Sequence, residues 1–262
     1  MARAALNHIV RLLLAPACAA CGAELEAPLA SPVCRACWSL VARVGEPWCA
    51  RCGDELDRWA EPDSECARCR QHPPQFHVAR SAGRYDGSLK DVIHAFKYSK
   101  RRVLAEPLGR MMRETGAELL WDADAVVPVP LHPIRALQRG FNQADDLARQ
   151  LGPPVWRVLR RRRHGPPQAG LTASVRLRNL DGAFGVSPAW TITSAVMRRT
   201  LLARTVVLVD DVMTTGTTVD ACSAVLLANG VRSVRVLTAA RAVTGRPLPP
   251  PPPRSLSAPP RR

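Results

Sequence analysis

Apolar and polar positions along the middle of the chain follow two rhythms. In SLKDVIHAFKYSK (88–100), Leu89, Val92, Ile93 and Phe96 recur at helical spacing and share one face. VLAEPLGRMMRETGAELL (103–120) continues as a helix, with a break expected at Pro107. ADAVVPVPLHP (123–133) predicts a buried strand running into a proline-punctuated loop, and FNQADDLARQLG (141–152) a helix stopped by glycine. VWRVL (155–159) reads as a short strand. VVLVD (206–210) is the clearest buried strand, GTTVDACSAVLLANG (216–230) the clearest helix, and VRSVRVLTAA (231–240) the next strand. Strands alternating with helices predict an α/β fold, a parallel sheet with helices on both faces, with ligands bound at the carboxyl ends of the strands.

The first seventy residues lack that rhythm and are organised by cysteine. Eight of the nine cysteines form CxxC pairs: Cys18/Cys21, Cys34/Cys37, Cys49/Cys52 and Cys66/Cys69, with 12, 11 and 13 residues between successive pairs. A CxxC turn points two thiolates at one tetrahedral ion, and two such knuckles close a four-sulfur Zn2+ shell. Four knuckles imply two structural zinc sites in a small metal-dependent module over residues 1–72. Sequential pairing is favoured over an interleaved cross-brace because each gap within a site suits a short hairpin. Gly22 and Gly53 follow two of the pairs and supply the backbone freedom such turns need. A disulfide framework requires an oxidising compartment, and the N-terminus carries no convincing export signal. Trp38, Trp48 and Trp59 fall in this module and are expected beside the zinc sites. Cys222 stands alone in a predicted helix, where a buried structural thiol is expected.

Charge and composition add limits rather than an identity. Lys and Arg number 37 against 22 Asp and Glu, a formal charge of +15 that favours nucleic acid, phosphorylated ligands or anionic lipid. The apolar N-terminal run is interrupted by Arg11 and is too short to cross a bilayer, so a cytoplasmic protein without membrane insertion is expected. Residues 244–262, rich in Pro and Arg, have too little apolar mass to bury and are expected to form a disordered tail. The α/β domain then spans 73–243.

The strand at 206–209 runs into Asp210 and Asp211, then into a loop over 212–218 built from Thr214, Thr215, Gly216, Thr217 and Thr218. Backbone N–H groups at a helix N-terminus, with threonine hydroxyls beside them, cradle a phosphate. Paired carboxylates accept hydrogen bonds from vicinal hydroxyls. A phosphate site beside a diol site describes a ribose 5-phosphate pocket.

Strand, acidic pair and TTGTT loop together resemble the signature of type I phosphoribosyltransferases, which bind 5-phosphoribosyl 1-pyrophosphate (PRPP). VVPVPLHPIRALQRGFNQADDLA (126–148), Gln168 with LTASVRLRNLDGAF (171–184), and the cysteine pairs are similar to one branch, the competence-associated ComF family, over roughly residues 12–243. The resemblance implies that Asp210 and Asp211 hold the ribose hydroxyls and residues 214–218 the 5-phosphate. It implies that residues 128–133 face pyrophosphate and its Mg2+, lined by Arg135, Arg139, Asn142 and Gln143. Residues 160–179, with Gln168, Arg176 and Asn179, correspond to a mobile hood over the site. Arg160 to Arg163 taken alone read equally well as a solvated charge run, and Lys97 as either a pyrophosphate contact or a solvated helix end.

The resemblance implies displacement of pyrophosphate from the anomeric carbon, with the protein supplying position and charge stabilisation. Purine-using relatives carry an aspartate where this chain has Thr214, and threonine cannot act as a base near neutral pH. Purine salvage is thus disfavoured and the acceptor is open. Two functions remain: an enzyme transferring ribose phosphate, or a PRPP-regulated protein holding single-stranded DNA with DNA-uptake or repair partners. Sparse aromatics give no evident base-stacking platform for the second.

Overall fold

The computed structural model describes residues 2–99, 101–162, 182–188, 190 and 201–242. In chain order its elements are α1 (Ala2–Leu14), α2 (Arg35–Ser39), α3 (Ala67–Gln71), β1 (Val78–Arg84), α4 (Gly87–Tyr98), α5 (Ala105–Thr115), α6 (Ala117–Leu120) and β2 (Ala125–Pro128). There follow α7 (Pro133–Arg139), α8 (Gln143–Ala148), β3 (Leu159–Arg161), β4 (Phe184–Val186), β5 (Thr205–Met213), α9 (Thr217–Ala228) and β6 (Ser233–Arg241). The central sheet is parallel throughout, in the order β1-β6-β5-β2. Among the described residues no helix is long and apolar enough to cross a membrane.

Period-two alternation along β5 feeds a core on each face. Val207 and Val209 pack with Leu89, Ile93 and Phe96 of α4 and with Leu108 and Met112 of α5. Val206 and Leu208 pack with Val219, Cys222 and Leu226 of α9. Each such fully buried aliphatic side chain contributes about 1.5–3 kcal/mol. Cys222 is buried, as expected of a structural thiol.

Three expectations need correction. The break at Pro107 does not occur, because Pro107 falls in the first turn of α5, where its missing N–H would have no intrahelical partner anyway; the helix breaks at Gly116. The strand expected at 155–159 is a single bridge of Val155 to Val126, after which Leu159 opens β3, antiparallel to β4 and outside the main sheet. Val126 uses its N–H and C=O on Pro154 and Trp156, but the next donor along that edge would be Pro128, which has none. The loop expected over 212–218 is shorter, since β5 stays paired with β6 through Met213 opposite Arg241, while its pairing with β2 stops at Val209 opposite Pro128.

The strand β1, VARSAGR, is buried without clean alternation, and the cysteine module covers its free edge. Ala79 N–H donates to Arg51 O and Arg84 N–H to Ala42 O, each at 2.8 Å, satisfying an edge that would otherwise invite pairing with another chain. Cys18, Leu25, Val33 and Cys37 join the core on the α4 side of the sheet, and Cys49, Cys52, Cys69 and Phe76 the core on the α9 side. The two knuckle pairs thus straddle β1.

Candidate functional site

Asp210 and Asp211 lie where β5 is paired with β6 alone, beside the gap left by the end of β2. Alternation sends them to opposite faces. Asp211 points with Val207 and Val209 toward α4, where Lys97 Nζ lies 2.9 Å from its Oδ1; the two side chains are only 15% and 11% exposed. Burial pulls the Lys97 ammonium down, but Asp211 and Asp210 outweigh it and hold its pKa above the ordinary value. Asp210 is half-buried on the α9 side, and its Oδ1 accepts the Asp211 N–H at 2.8 Å. Burial, then the adjacent Asp211, push it from 3.8 up to about 7, against the pull of Lys97 and Arg161.

Immediately beyond β5, Thr214 is exposed, and Thr215 and Thr217 exchange a hydroxyl hydrogen bond at 2.7 Å. Gly216 occupies the N-cap of α9 at φ +81°, and a Cβ there would come within 2.8 Å of Met213 Cε, so glycine is required. Having no side chain, it leaves the first-turn N–H groups of α9 uncapped, beside Thr217 and Thr218.

The other wall follows β2. His132 Nδ1 accepts from Ile134 N–H at 3.3 Å and Pro133 opens α7, which carries Arg135 and Arg139. Asn142 caps α8 by accepting from Ala144 N–H at 3.2 Å, and its amide donates to Val129 O at 3.1 Å, tying the RGFNQ turn to the loop after β2. Gln143, 1% exposed, accepts from Arg139 Nη1 at 3.0 Å, while Arg139 lies over Tyr98 of α4. Arg139, Asn142 and Gln143 are therefore brought together with α4, the helix that carries Lys97. Asn142 is tied on both sides to backbone groups, while Gln143 is held through its Oε1 alone. Gln168, Arg176 and Asn179 lie outside the described residues.

Two cations gain weight that the sequence pattern did not settle. Lys97 is in the site rather than at a solvated helix end. Arg161 shares a face of β3 with buried Leu159, stacks on Phe184 and lies within electrostatic reach of Asp210 and Arg135. Burial, then Arg135, lower its pKa. Its Nε and the amide nitrogen of Gln143 are buried without a hydrogen-bond partner among the described residues. Reading residues 159–161 as a strand, with period two, would have singled out Arg161 from the arginine run.

The cysteines gather sequentially: Cys18, Cys21, Cys34 and Cys37 in one cluster, Cys49, Cys52, Cys66 and Cys69 in the other, all sulfurs within 4.8 Å of one another. The separations of 3.9 Å for Cys21–Cys34 and 3.7 Å for Cys52–Cys66 match the edge of a tetrahedron with Zn–S of about 2.3 Å and far exceed a disulfide bond. The donor sets fit structural Zn2+. A hydrogen bond from Cys69 and the charge of Arg241 offset burial and hold Cys52 at about 4, ready as a thiolate ligand. Trp38 and Trp48 are partly buried, but Trp59 is 80% exposed with Arg58 stacked on it, contrary to the expected burial.

Residues 9–70 match the double zinc ribbon domain and residues 134–252 the phosphoribosyl transferase domain. Competence protein F of Haemophilus influenzae is 34% identical over 206 residues, covering 75% of this chain and 85% of that protein. The chain belongs to the ComF family. The DNA utilization protein YhgH of Escherichia coli K12 is 33% identical over 217 residues, 78% of this chain and 88% of the relative. The orotate phosphoribosyltransferase of Aeropyrum pernix is 19% identical with a TM-score of 0.31, covering 62% of this chain and 80% of that one, which adds nothing to what the domain match shows.

Proposed function

We propose that this ComF protein binds PRPP at the end of β5 and either transfers or senses its ribose phosphate, in the setting of DNA uptake or processing. One observation carries the reading: a carboxylate pair, one member clamped by Lys97, lies directly before an uncapped helix N-terminus flanked by threonines. Asp210 and Asp211 receive the ribose hydroxyls, and the N–H groups and hydroxyls of residues 214–218 receive the 5-phosphate. Arg135 and Arg161 repel each other in the free protein, so an anionic pyrophosphate beside them relieves that repulsion. The carboxylate oxygens of Asp210 and Asp211 are hard donors that would suit Mg2+, which would supply charge neutralisation toward the pyrophosphate. Thr214 offers no base, so acceptor activation falls to another group or to the acceptor itself.

The test is a thermal-shift titration of the zinc-loaded protein with PRPP and Mg2+, alongside a variant carrying Asp210→Ala and Asp211→Ala. Ligand at about 100 times its dissociation constant adds about 2.7 kcal/mol to stability. A shift in the parent protein that is absent from the variant supports the reading, and no shift in either removes it.

The names of the relatives and the +15 charge favour a second reading, a non-catalytic protein that holds single-stranded DNA under PRPP control. Exposed Trp59 with its stacked Arg58 is a surface on which a base could stack. That reading expects DNA affinity falling steeply with salt. Pyrophosphate release dependent on an added nucleobase or amine supports the enzyme instead.

A further inference from the structure

Arg241, the last residue of β6, has no exposed surface. Its Nε donates to Asp54 Oδ1 at 2.9 Å, one Nη to the Cys52 carbonyl at 2.6 Å, and the other Nη to Cys52 Sγ at 3.4 Å. Arg68 approaches the same sulfur and Asp54, both at 3.5 Å. A guanidinium withdrawn from water depends on every such partner. Both clusters have sulfurs that accept from backbone N–H groups, but the arginine contacts to sulfur fall on the second.

The backbone of the same residue serves the other site. Arg241 stands opposite Met213 in the sheet, and Ala242 N–H donates to Met213 O at 2.9 Å. Met213 immediately precedes Thr214, and its methyl packs under Gly216 together with the ring of Phe76. Gln75 N–H, in the segment between α3 and β1, donates to Asp220 Oδ1 in the first turn of α9 at 2.5 Å, a second tie to the loop's helix from the chain that leaves the second cluster. The knuckle itself is pressed into the sheet: Gly53, at φ +67°, has room for no Cβ, which would lie 2.5 Å from Ala79 O.

We propose that the second cysteine cluster and the loop at 214–218 are one cooperative unit joined by Arg241 as a positioning residue. Metal at Cys49, Cys52, Cys66 and Cys69 holds the knuckle closed, and with it the Cys52 carbonyl and Asp54 in place against Arg241. Loss of that metal lets the knuckle open and carry the Cys52 carbonyl and Asp54 away from a buried cation, and the end of β6 leaves its place to find water, freeing Met213 and the loop. Metal occupancy at the second cluster thereby sets the order of the loop, while the first cluster is tied to α4 instead, where Ser88 Oγ donates to the Cys37 carbonyl at 2.7 Å. The consequence for ligand affinity rests on the PRPP reading above; the coupling itself does not.

The test uses hydrogen exchange of the full-length protein, read on residues 213–218, with α8, remote from both cysteine clusters, as reference. Cys66→Ser weakens the second cluster and Cys21→Ser the first. Exchange at 213–218 rises at least about tenfold in Cys66→Ser, the scale on which groups around a metal site act, and stays within about twofold in Cys21→Ser. Equal effects, or none in Cys66→Ser, overturn the proposal. If Cys66→Ser does not fold, Arg241→Lys decides, since it keeps the charge but not the fork. One of the two zinc ions is then released to a chelator about tenfold faster, and unchanged release of both overturns the proposal. PRPP with Mg2+ slows release of that same ion in the parent protein, by reciprocity of coupling. A normal PRPP thermal shift without slower release overturns the coupling. Absence of any thermal shift overturns the PRPP reading, and the exchange result then stands alone.

Discussion

Lys97 Nζ and Asp211 Oδ1 meet at 2.9 Å in a largely buried setting, joining the last turn of α4 to the fifth strand. The adjacent Asp210 has no such direct cation partner among the described residues, accepts the Asp211 N–H instead, and is pushed up to about 7. Two neighbouring carboxylates are thus placed in different environments, which on the proposed PRPP reading gives them different roles toward the ribose hydroxyls.

Replacing Lys97 by Met leaves the Asp211 charge in its low-exposure setting without its cation. The expected loss is about 3 kcal/mol of stability, the low end for breaking one side of a buried pair. PRPP affinity falls at least about tenfold, equivalent to 1.4 kcal/mol or more. Urea denaturation and calorimetric titration measure the two effects, and Lys97→Arg should recover most of both. Parent-like values for Lys97→Met would return Lys97 to the status of a peripheral residue.

Asp210 makes binding depend on pH. A carboxyl raised in the folded state from 3.8 to about 7 retains its proton where the unfolded chain has lost it. Its contribution therefore makes the free protein less stable as pH rises from about 4 to about 7. The ionised form is the diol acceptor, so PRPP affinity should increase through pH 7. Affinity measured from pH 6 to 8 should rise in the parent protein, and that part of the rise should vanish in Asp210→Asn. An identical profile in both would assign the dependence to the ligand's own phosphates.

Gly216→Ala forces a Cβ against Met213 at a backbone angle that disfavours it. The Met213 methyl can swing aside, so the expected destabilisation is about 1–2 kcal/mol from the left-handed conformation, and relaxing that angle would turn the first N–H groups of α9 and weaken PRPP binding. A melting curve and a ligand titration on one sample separate the two. Binding at parent strength would mean the phosphate is held elsewhere.

Metal removal should reach the sheet as well as the ribbons, because the cysteine module supplies the hydrogen bonds along β1. Two zinc ions per chain are expected by elemental analysis. Chelation should lower the melting temperature and promote association through the uncovered edge. Light scattering before and after chelation checks this, and a monomer with an unchanged melting point would show that the ribbons fold independently of the sheet.

What the sequence determined by itself is local. The CxxC spacing brings thiolates onto one turn, and the sequential clusters follow from short hairpins between knuckles. The run of four apolar residues, two aspartates and a Thr/Gly loop specifies strand, acidic edge and helix start within one contiguous stretch, where covalent geometry leaves few alternatives. Tertiary structure decided what depends on distant segments meeting. It set the strand order, put Lys97 on Asp211 and Arg241 on Asp54, and chose Arg161 from a run of arginines. It also made a strand of VARSAGR by covering its edge, and kept residues 155–159 out of the main sheet for want of a donor at Pro128. These outcomes depend on which faces pack and which hydrogen-bond edges remain open, and neither is written in the spacing of any single segment.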